Sequence, residues 1–309
     1  MTIVNMERLL IGTRNKLIVW DKKARTILEK KRYYVYHHFY GISWDTKDIY
    51  VAHRLTYSHG AIDIFDNEFN LKKQVSFDVD FYAPHQILWW DKKLYMTDAH
   101  LSRVLVWDKK NVNVVEWRRP DGFSLHVNSI WCDGKKFYVL EHRGAVMPKG
   151  IQVFDLDFNP IKHIELPRKV FVQKKSYHGV HNVYIEDGIL YVFSPGALVK
   201  YNLAFGDFKH VIPHPMLKDY YARGLARTEG RFFIGLSEVK TRAERDKGDS
   251  FILVTDDDFN VLDVLTLKDT GALHEIRAID SPDWAHNKIR CPLLDGKKIH
   301  YNQKKAWLK

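Results

Sequence analysis

Short runs in which apolar and polar residues alternate fill most of this 309-residue chain, and polar turns interrupt them every few residues. Alternation with period two marks a strand with one buried face, and a 3.6-residue helical period is hard to find between the turns. The runs also recur. FYGISWDTKDIYVAHR from Phe39, HQILWWDKKLYMTDAH from His85, NSIWCDGKKFYVLEHR from Asn128, HNVYIEDGILYVFSPG from His181 and RGLARTEGRFFIGLSE from Arg223 each read strand, polar turn, strand. The turns are rich in Asp, Gly or Lys, as tight hairpins require. A third strand follows each pair (IDIFDNEF, VLVWDKK, IQVFDLDF, LVKYNLAF, FILVTDDDF), then an acidic or amide turn and a shorter fourth strand such as NVVEWRR or VLDVLTL.

Recurrent units of four antiparallel strands predict the blades of a β-propeller. Five copies are complete. HEIRAID, from His274, matches the first strand of a sixth, and its partners are at the other end of the chain: RLLIGT from Arg8, KLIVWD from Lys16 and ARTILEK from Ala24. The expected fold is therefore all-β, a six-bladed propeller over residues 1–284 whose last blade is closed by N- and C-terminal strands. Such closure leaves no open sheet edge. Residues 285–309 form a basic extension expected to pack along the outside of the ring.

Composition supports a folded β protein, with hydrophobic residues at 45% and aromatics at 14%. Two cysteines, Cys132 and Cys291, are too few for a disulfide framework. The opening residues carry no secretory-signal pattern and no run is long enough for a membrane helix, so the expectation is a cytoplasmic protein without membrane contact. The net charge of +10 makes an anionic small-molecule partner plausible. Nucleic acid is a weaker expectation, because the lysines sit in recurrent solvated turns and the aromatics belong to the blades.

Chemistry is expected where the innermost strands line the axis. Aligned on the repeat, Tyr40, His85, Asn128, His181, Arg223 and His274 share one level, followed by Gly41, Gln86, Ser129, Asn182, Gly224 and Glu275. The three histidines fall on alternate blades about 120° apart, so His85, His181 and His274 are candidate ligands of a divalent ion, zinc first, with iron or manganese as alternatives. Tyr40, Arg223 and Glu275 are candidate catalytic groups. Asn128, Asn182, Gln86, Arg54, His100, His142 and Arg143 are candidate substrate-binding groups in a positively biased funnel. His53, Asp98, Glu141, Glu238, Lys240, Arg242 and Arg14 fall on the loops of the same face. His126 and His178 precede the ring by a few residues, and the loop from Ser237 is a candidate lid.

Three alternate-blade histidines beside a Tyr and an Arg resemble peptidyl-hydroxyglycine amidating lyase, a six-bladed propeller with zinc on three histidines and catalysis by a Tyr and an Arg. The resemblance implies metal ligation by His85, His181 and His274, and substrate-activating or base roles for Arg223 or Tyr40. YARGLARTEGRFFIGLSE, from Tyr221, and HEIRAID look like segments of an uncharacterised bacterial propeller family, which implies the fold. The resulting expectation is a metal-dependent lyase or hydrolase acting on a small anionic or polar substrate. The alternatives are an iron oxygenase on the same site, or a non-catalytic binding module for a protein, glycan or nucleic acid.

Overall fold

The computed structural model describes residues 8–21, 25–31, 38–56, 59–117, 125–142, 149–166, 180–194, 197–211, 220–238, 240–241 and 244–293. The chain begins with the strands β1 (Leu9–Thr13), β2 (Lys16–Asp21) and β3 (Arg25–Lys31). Blade one follows as β4 (His38–Trp44), β5 (Ile49–Arg54), β6 (Gly60–Phe65) and β7 (Leu71–Val75). Blade two is β8 (Pro84–Trp90), β9 (Lys93–Asp98), β10 (Arg103–Trp107) and β11 (Val112–Glu116). Blade three is β12 (Val127–Cys132), β13 (Phe137–Glu141), β14 (Lys149–Phe154) and β15 (Pro160–Leu166). Blade four is β16 (His181–Glu186), β17 (Ile189–Ser194), β18 (Ala197–Asn202) and β19 (Phe208–Val211). Blade five is β20 (Tyr220–Thr228), β21 (Arg231–Glu238), β22 (Ser250–Thr255) and β23 (Val261–Leu267). The last strand, β24 (Leu273–Ala278), pairs antiparallel with β1, so the sixth sheet runs β24-β1-β2-β3. The fold is the six-bladed propeller that the repeat predicts. No helix among the described residues is long and apolar enough to cross a membrane.

The turn between third and fourth strands has a reason written in the sequence. In blades one, three and five it reads Asp-x-x-Phe-Asn: Asp66 to Asn70, Asp155 to Asn159 and Asp256 to Asn260. The aspartate Oδ1 accepts the N–H of the asparagine at 2.8, 2.7 and 2.8 Å, an Asx-type turn. The phenylalanine takes a left-handed conformation (φ 63, 66 and 67°), and its ring turns back into the core.

Blades are joined near the axis by side chains that accept a backbone N–H from the next blade. Ser43 Oγ takes Trp89 N at 2.7 Å, Gln86 Oε1 takes Ile130 N at 3.0 Å and Ser129 Oγ takes Asn182 N at 2.9 Å. Asn182 Oδ1 takes Gly224 N at 3.0 Å, and Ser237 Oγ takes Leu273 N at 2.8 Å. Between blades six and one the direction reverses, with Arg277 Nε donating to Ile42 O at 3.1 Å. The axial edge of each innermost strand has no ladder partner, so these bonds satisfy groups that burial would otherwise leave unpaired.

The segment after β24 crosses the end of the ring where the innermost strands finish, rather than lying along its outside. Trp44 Nε1 donates to Ile289 O at 2.6 Å, Trp131 Nε1 to Trp284 O at 3.3 Å and Asn287 Nδ2 to Trp44 O at 2.8 Å. Residues 281–293 thus form a floor spanning several blades. Residues 294–309, most of the expected basic extension, lie outside the described residues.

Candidate functional site

Every innermost strand breaks register at the same height. The shifts fall between Phe39 and Ile42, Pro84 and Ile87, Val127 and Ser129, His181 and Val183, and Ala222 and Leu225, and on β24 between Leu273 and Glu275. A β-bulge re-aims side chains that strict alternation would send to opposite faces. In every blade but the fifth, two consecutive residues therefore line the axial opening. Gly224 can follow this path because its φ is +81° and a Cβ would come within 3.0 Å of Ile276 N.

The bulges surround an opening of about 290 Å³, solvent included. All six residues of the upper level line it (Tyr40, His85, Asn128, His181, Arg223, His274), as do Gly41, Gln86, Ser129, Asn182 and Glu275 of the lower level. The site read from the repeat is thus assembled in space, except for Gly224, which is not among the lining residues. Gln86 and Asn182 each spend an oxygen on the neighbouring blade, so their first role is to hold the ring.

An arc of aromatic rings runs around the opening. Tyr40 stacks on His274 (4.4 Å between centroids, 2° between planes) and on His85 (5.1 Å, 25°). Blade one lies between blades six and two, so the two imidazoles flank the phenol. The arc continues from His85 to His126, His142, His181 and Tyr221 at centroid spacings of 5.7, 4.9, 4.7 and 5.3 Å. His142, expected to bind substrate, is a buried member of this arc and donates Nδ1–H to Val180 O at 3.0 Å.

The hydrogen bonds assign the tautomers. His85 donates Nδ1–H to Ala83 O at 3.1 Å and His274 donates Nδ1–H to Phe39 O at 2.9 Å, leaving an Nε2 lone pair on each. His181 is the reverse: Nδ1 accepts from Asn128 Nδ2 at 2.9 Å, and Nε2 meets the Tyr221 hydroxyl. Burial, with Arg223 among the further causes, holds all three imidazoles well below their ordinary pKa, so they are neutral at pH 7. The positive charge belongs to Arg223, whose Nη2 donates to the Tyr221 hydroxyl at 2.7 Å and lies 3.2 Å from His181 Nε2.

This geometry bears on the expected metal ion. Among the described residues, no group of three or more His, Cys, Asp or Glu side chains surrounds one point as an ion would need. Tyr40 stands between His85 and His274, and a guanidinium occupies the space beside His181 Nε2. The three histidines therefore do not fit an ion in this side-chain arrangement, although the Nδ1–H tautomers of His85 and His274 are those of metal-binding imidazoles.

Below the ring, Glu275 meets Arg277 at 3.0 Å with both side chains buried, and burial pushes the Glu275 carboxyl up to about 7 against the pull of Arg277. At the rim, Arg54 adds positive potential at His85. His100 is exposed with its ring edge-on to Tyr82 at 5.6 Å and does not line the opening. Asp98 and Glu141 serve the blades, the first accepting Tyr82 N and Ala83 N, the second His163 Nε2 and Trp117 Nε1. His53 is enclosed in blade one against Asp63 at 2.8 Å, away from the funnel. Arg143, His178 and Arg242 lie outside the described residues.

Two residues that the repeat alignment passed over stand next to the lining residues without lining the opening themselves. Tyr221 precedes Arg223 by two positions, but Arg223 falls in the bulge between Ala222 and Leu225, where simple alternation no longer relates the two. Arg245 comes from the loop after Ser237, and its guanidinium lies 5.8 Å from the Tyr221 ring centroid. That loop is tied to blade six through Ala272 N to Arg245 O at 2.8 Å and Asn15 Nδ2 to Asp246 O at 2.5 Å.

No protein-family model matches the chain, and no curated protein does. Solved structures are similar in fold. A chain of the nidogen/laminin complex aligns with a TM-score of 0.63 at 14% identity, covering 88% of this chain and 98% of that one. A protein of unknown function from Bacteroides caccae aligns with a TM-score of 0.63 at 12% identity, covering 89% and 99%. A catalytically inactive virginiamycin B lyase from Staphylococcus aureus, solved with quinupristin, aligns with a TM-score of 0.54 at 8% identity, covering 88% and 95%. At such identities the likeness concerns the propeller fold and leaves activity to the site.

Proposed function

We propose that the protein is an enzyme of lyase or hydrolase type that works by acid–base chemistry on a small anionic substrate in the axial funnel. The observation that carries this reading is the meeting of Arg223 and His181, which line the axial opening, with the buried Tyr221 hydroxyl, beside histidines that are neutral. Arg223 supplies a fixed positive charge for a carboxylate or phosphate group. Tyr221 and His181 share a hydrogen bond through which a proton can pass to or from substrate.

The test is turnover of a panel of small phosphate, sulfate and carboxylate compounds, followed by mass spectrometry, in the parent and in Tyr221→Phe. Loss of about a hundredfold or more in the variant is the expected result for a proton-transferring group. Tight binding of a compound by the parent without turnover would replace this reading with a binding module.

A second reading keeps the metal-dependent form of the same chemistry, favoured by the Nδ1–H tautomers of His85 and His274. It requires Tyr40 and Arg223 to move. Elemental analysis of the purified protein beside a His85→Ala, His181→Ala double variant tests it, with about one equivalent of divalent ion in the parent and none in the variant expected.

A further inference from the structure

Three adjacent rings on the wall of the opening present polar atoms that the protein itself does not use. Tyr40 stacks between His274 and His85 at centroid distances of 4.4 and 5.1 Å, and all three residues line the opening. Each imidazole donates Nδ1–H to a backbone carbonyl, Phe39 O for His274 at 2.9 Å and Ala83 O for His85 at 3.1 Å, which leaves Nε2 as an acceptor. Among the described residues neither Nε2 nor the Tyr40 hydroxyl has a hydrogen-bond partner, and none of these three atoms is enclosed. A hydroxyl has one proton to give, so the two Nε2 acceptors on either side of the phenol call for two separate donors.

Arg223 lines the same opening, and its charge is not compensated there. Its hydrogen bonds go to the Tyr221 hydroxyl and to His181 Nε2. Among the lining residues only Glu275 carries a carboxyl, and Arg277 holds it at 3.0 Å. One guanidinium matches one carboxylate on a ligand. The same positive charge disfavours an ammonium group beside the neutral imidazoles, so the donors that suit the two Nε2 atoms are hydroxyls.

From this we infer that the substrate is a polyhydroxylated monocarboxylate, a sugar acid in chemical class, with its carboxylate on Arg223 and two separate hydroxyls donating to His85 Nε2 and His274 Nε2. The Tyr40 hydroxyl lies on the ring between them and serves a further hydroxyl as donor or acceptor. The inference rests on the funnel being an anionic-substrate site and adds what the neutral part of the substrate carries. It assigns His85 and His274 to recognition by hydrogen bonding, so an acid of equal length without hydroxyls leaves both acceptors unpaired and is rejected.

Calorimetric titration of the full chain with sodium gluconate and with sodium hexanoate, acids of equal carbon number and charge, at constant ionic strength, tests this assignment. The parent is expected to bind gluconate at least about tenfold more tightly than hexanoate. His85→Phe and His274→Phe keep a ring against Tyr40 but remove the acceptor, and each is expected to cut the gluconate preference about three- to tenfold. Arg223→Met is expected to weaken both acids, with circular dichroism confirming that each variant is folded. Protein stripped of ions with a chelator is expected to keep the preference. A parent that does not prefer gluconate, histidine variants that keep the preference in full, or a preference that vanishes with the chelator and returns with a divalent ion overturns the assignment. If Arg223→Met still loses both acids in that case, the anionic-substrate reading stands without it. A parent that binds neither acid overturns both.

Discussion

Arg277 and Glu275, two positions apart on β24, meet at 3.0 Å with almost no exposure to solvent, directly beneath the axial opening. Arg277 also donates to Leu225 O at 3.1 Å and Ile42 O at 3.1 Å, so one side chain ties blades five, six and one around the axis. Replacing it with methionine keeps much of its volume but strands Glu275 in a dry interior and removes a donor from three carbonyls, those of Ile42, Leu225 and Ile276. Breaking a buried pair from one side costs about 3–5 kcal/mol. Urea denaturation of Arg277→Met is expected to show a loss of that size, and an unchanged midpoint would mean that water reaches the pair.

Asp283 carries a pH dependence whose sign can be worked out. Burial pushes its carboxyl up to about 7 from 3.8, while Arg277 and the N–H groups of Arg227, Ala278 and Ala285 oppose the shift. A carboxyl with a raised folded-state pKa binds its proton more tightly when folded, so its contribution is full below pH 3.8 and is lost as pH rises towards 7. The buried histidines near the axis slope the other way below pH 6.5, so the absolute curve mixes both. The difference between parent and Asp283→Asn isolates this group. The parent is expected to lose ground to the variant by up to about 4 kcal/mol between pH 4 and pH 7, measured as unfolding free energy at each pH. A difference that does not change with pH would place the ionised form in the folded protein throughout.

The repeat made the ring legible because its spacing counts residues from a common apolar position, and a bulge at the same height in every blade preserves that count. Tyr40, His85, Asn128, His181, Arg223 and His274 accordingly line one opening. Spacing could not supply the direction of each ring nitrogen. That depends on which carbonyl or amide lies within reach, as Ala83 O does for His85 and Asn128 Nδ2 for His181. Nor could it show that Tyr40 would stack between two histidines, since that is a packing outcome of neighbouring blades. Arg245 was hidden for another reason: its loop has no counterpart in the other blades, so no alignment gives it a level.

Gly41 marks a close approach of blades one and two. A Cβ placed there would lie 2.4 Å from His85 O and 2.5 Å from Ile87 N, both backbone atoms that cannot rotate away. Gly41→Ala must therefore push apart the strands that carry Tyr40 and His85. Overpacking of this kind costs about 1–3 kcal/mol, and the displaced stack should weaken binding of any ligand in the funnel as well. Thermal unfolding read beside gluconate titration checks both effects, and a variant as stable as the parent would show that the strands have room to spare.

The state of the axial histidines can be read directly. If burial keeps His85, His181 and His274 neutral, none should take up a proton near the ordinary imidazole pKa of 6.5. Nitrogen-15 spectra of selectively labelled protein are expected to show His85 and His274 protonated on Nδ1 and His181 on Nε2, unchanged as pH falls from 8 to 6. The Nε2 assignment follows from Asn128, whose amide donates to His181 Nδ1 and forces the proton to the Tyr221 side. Asn128→Asp tests that logic, because a carboxylate would call the His181 proton to Nδ1 and leave Nε2 as an acceptor for the Tyr221 hydroxyl. The variant's His181 signals should exchange places while those of His274 stay fixed. If they do not, the tautomer is set by Tyr221 and Arg223 instead, and proton transfer along that wall would start from the opposite end.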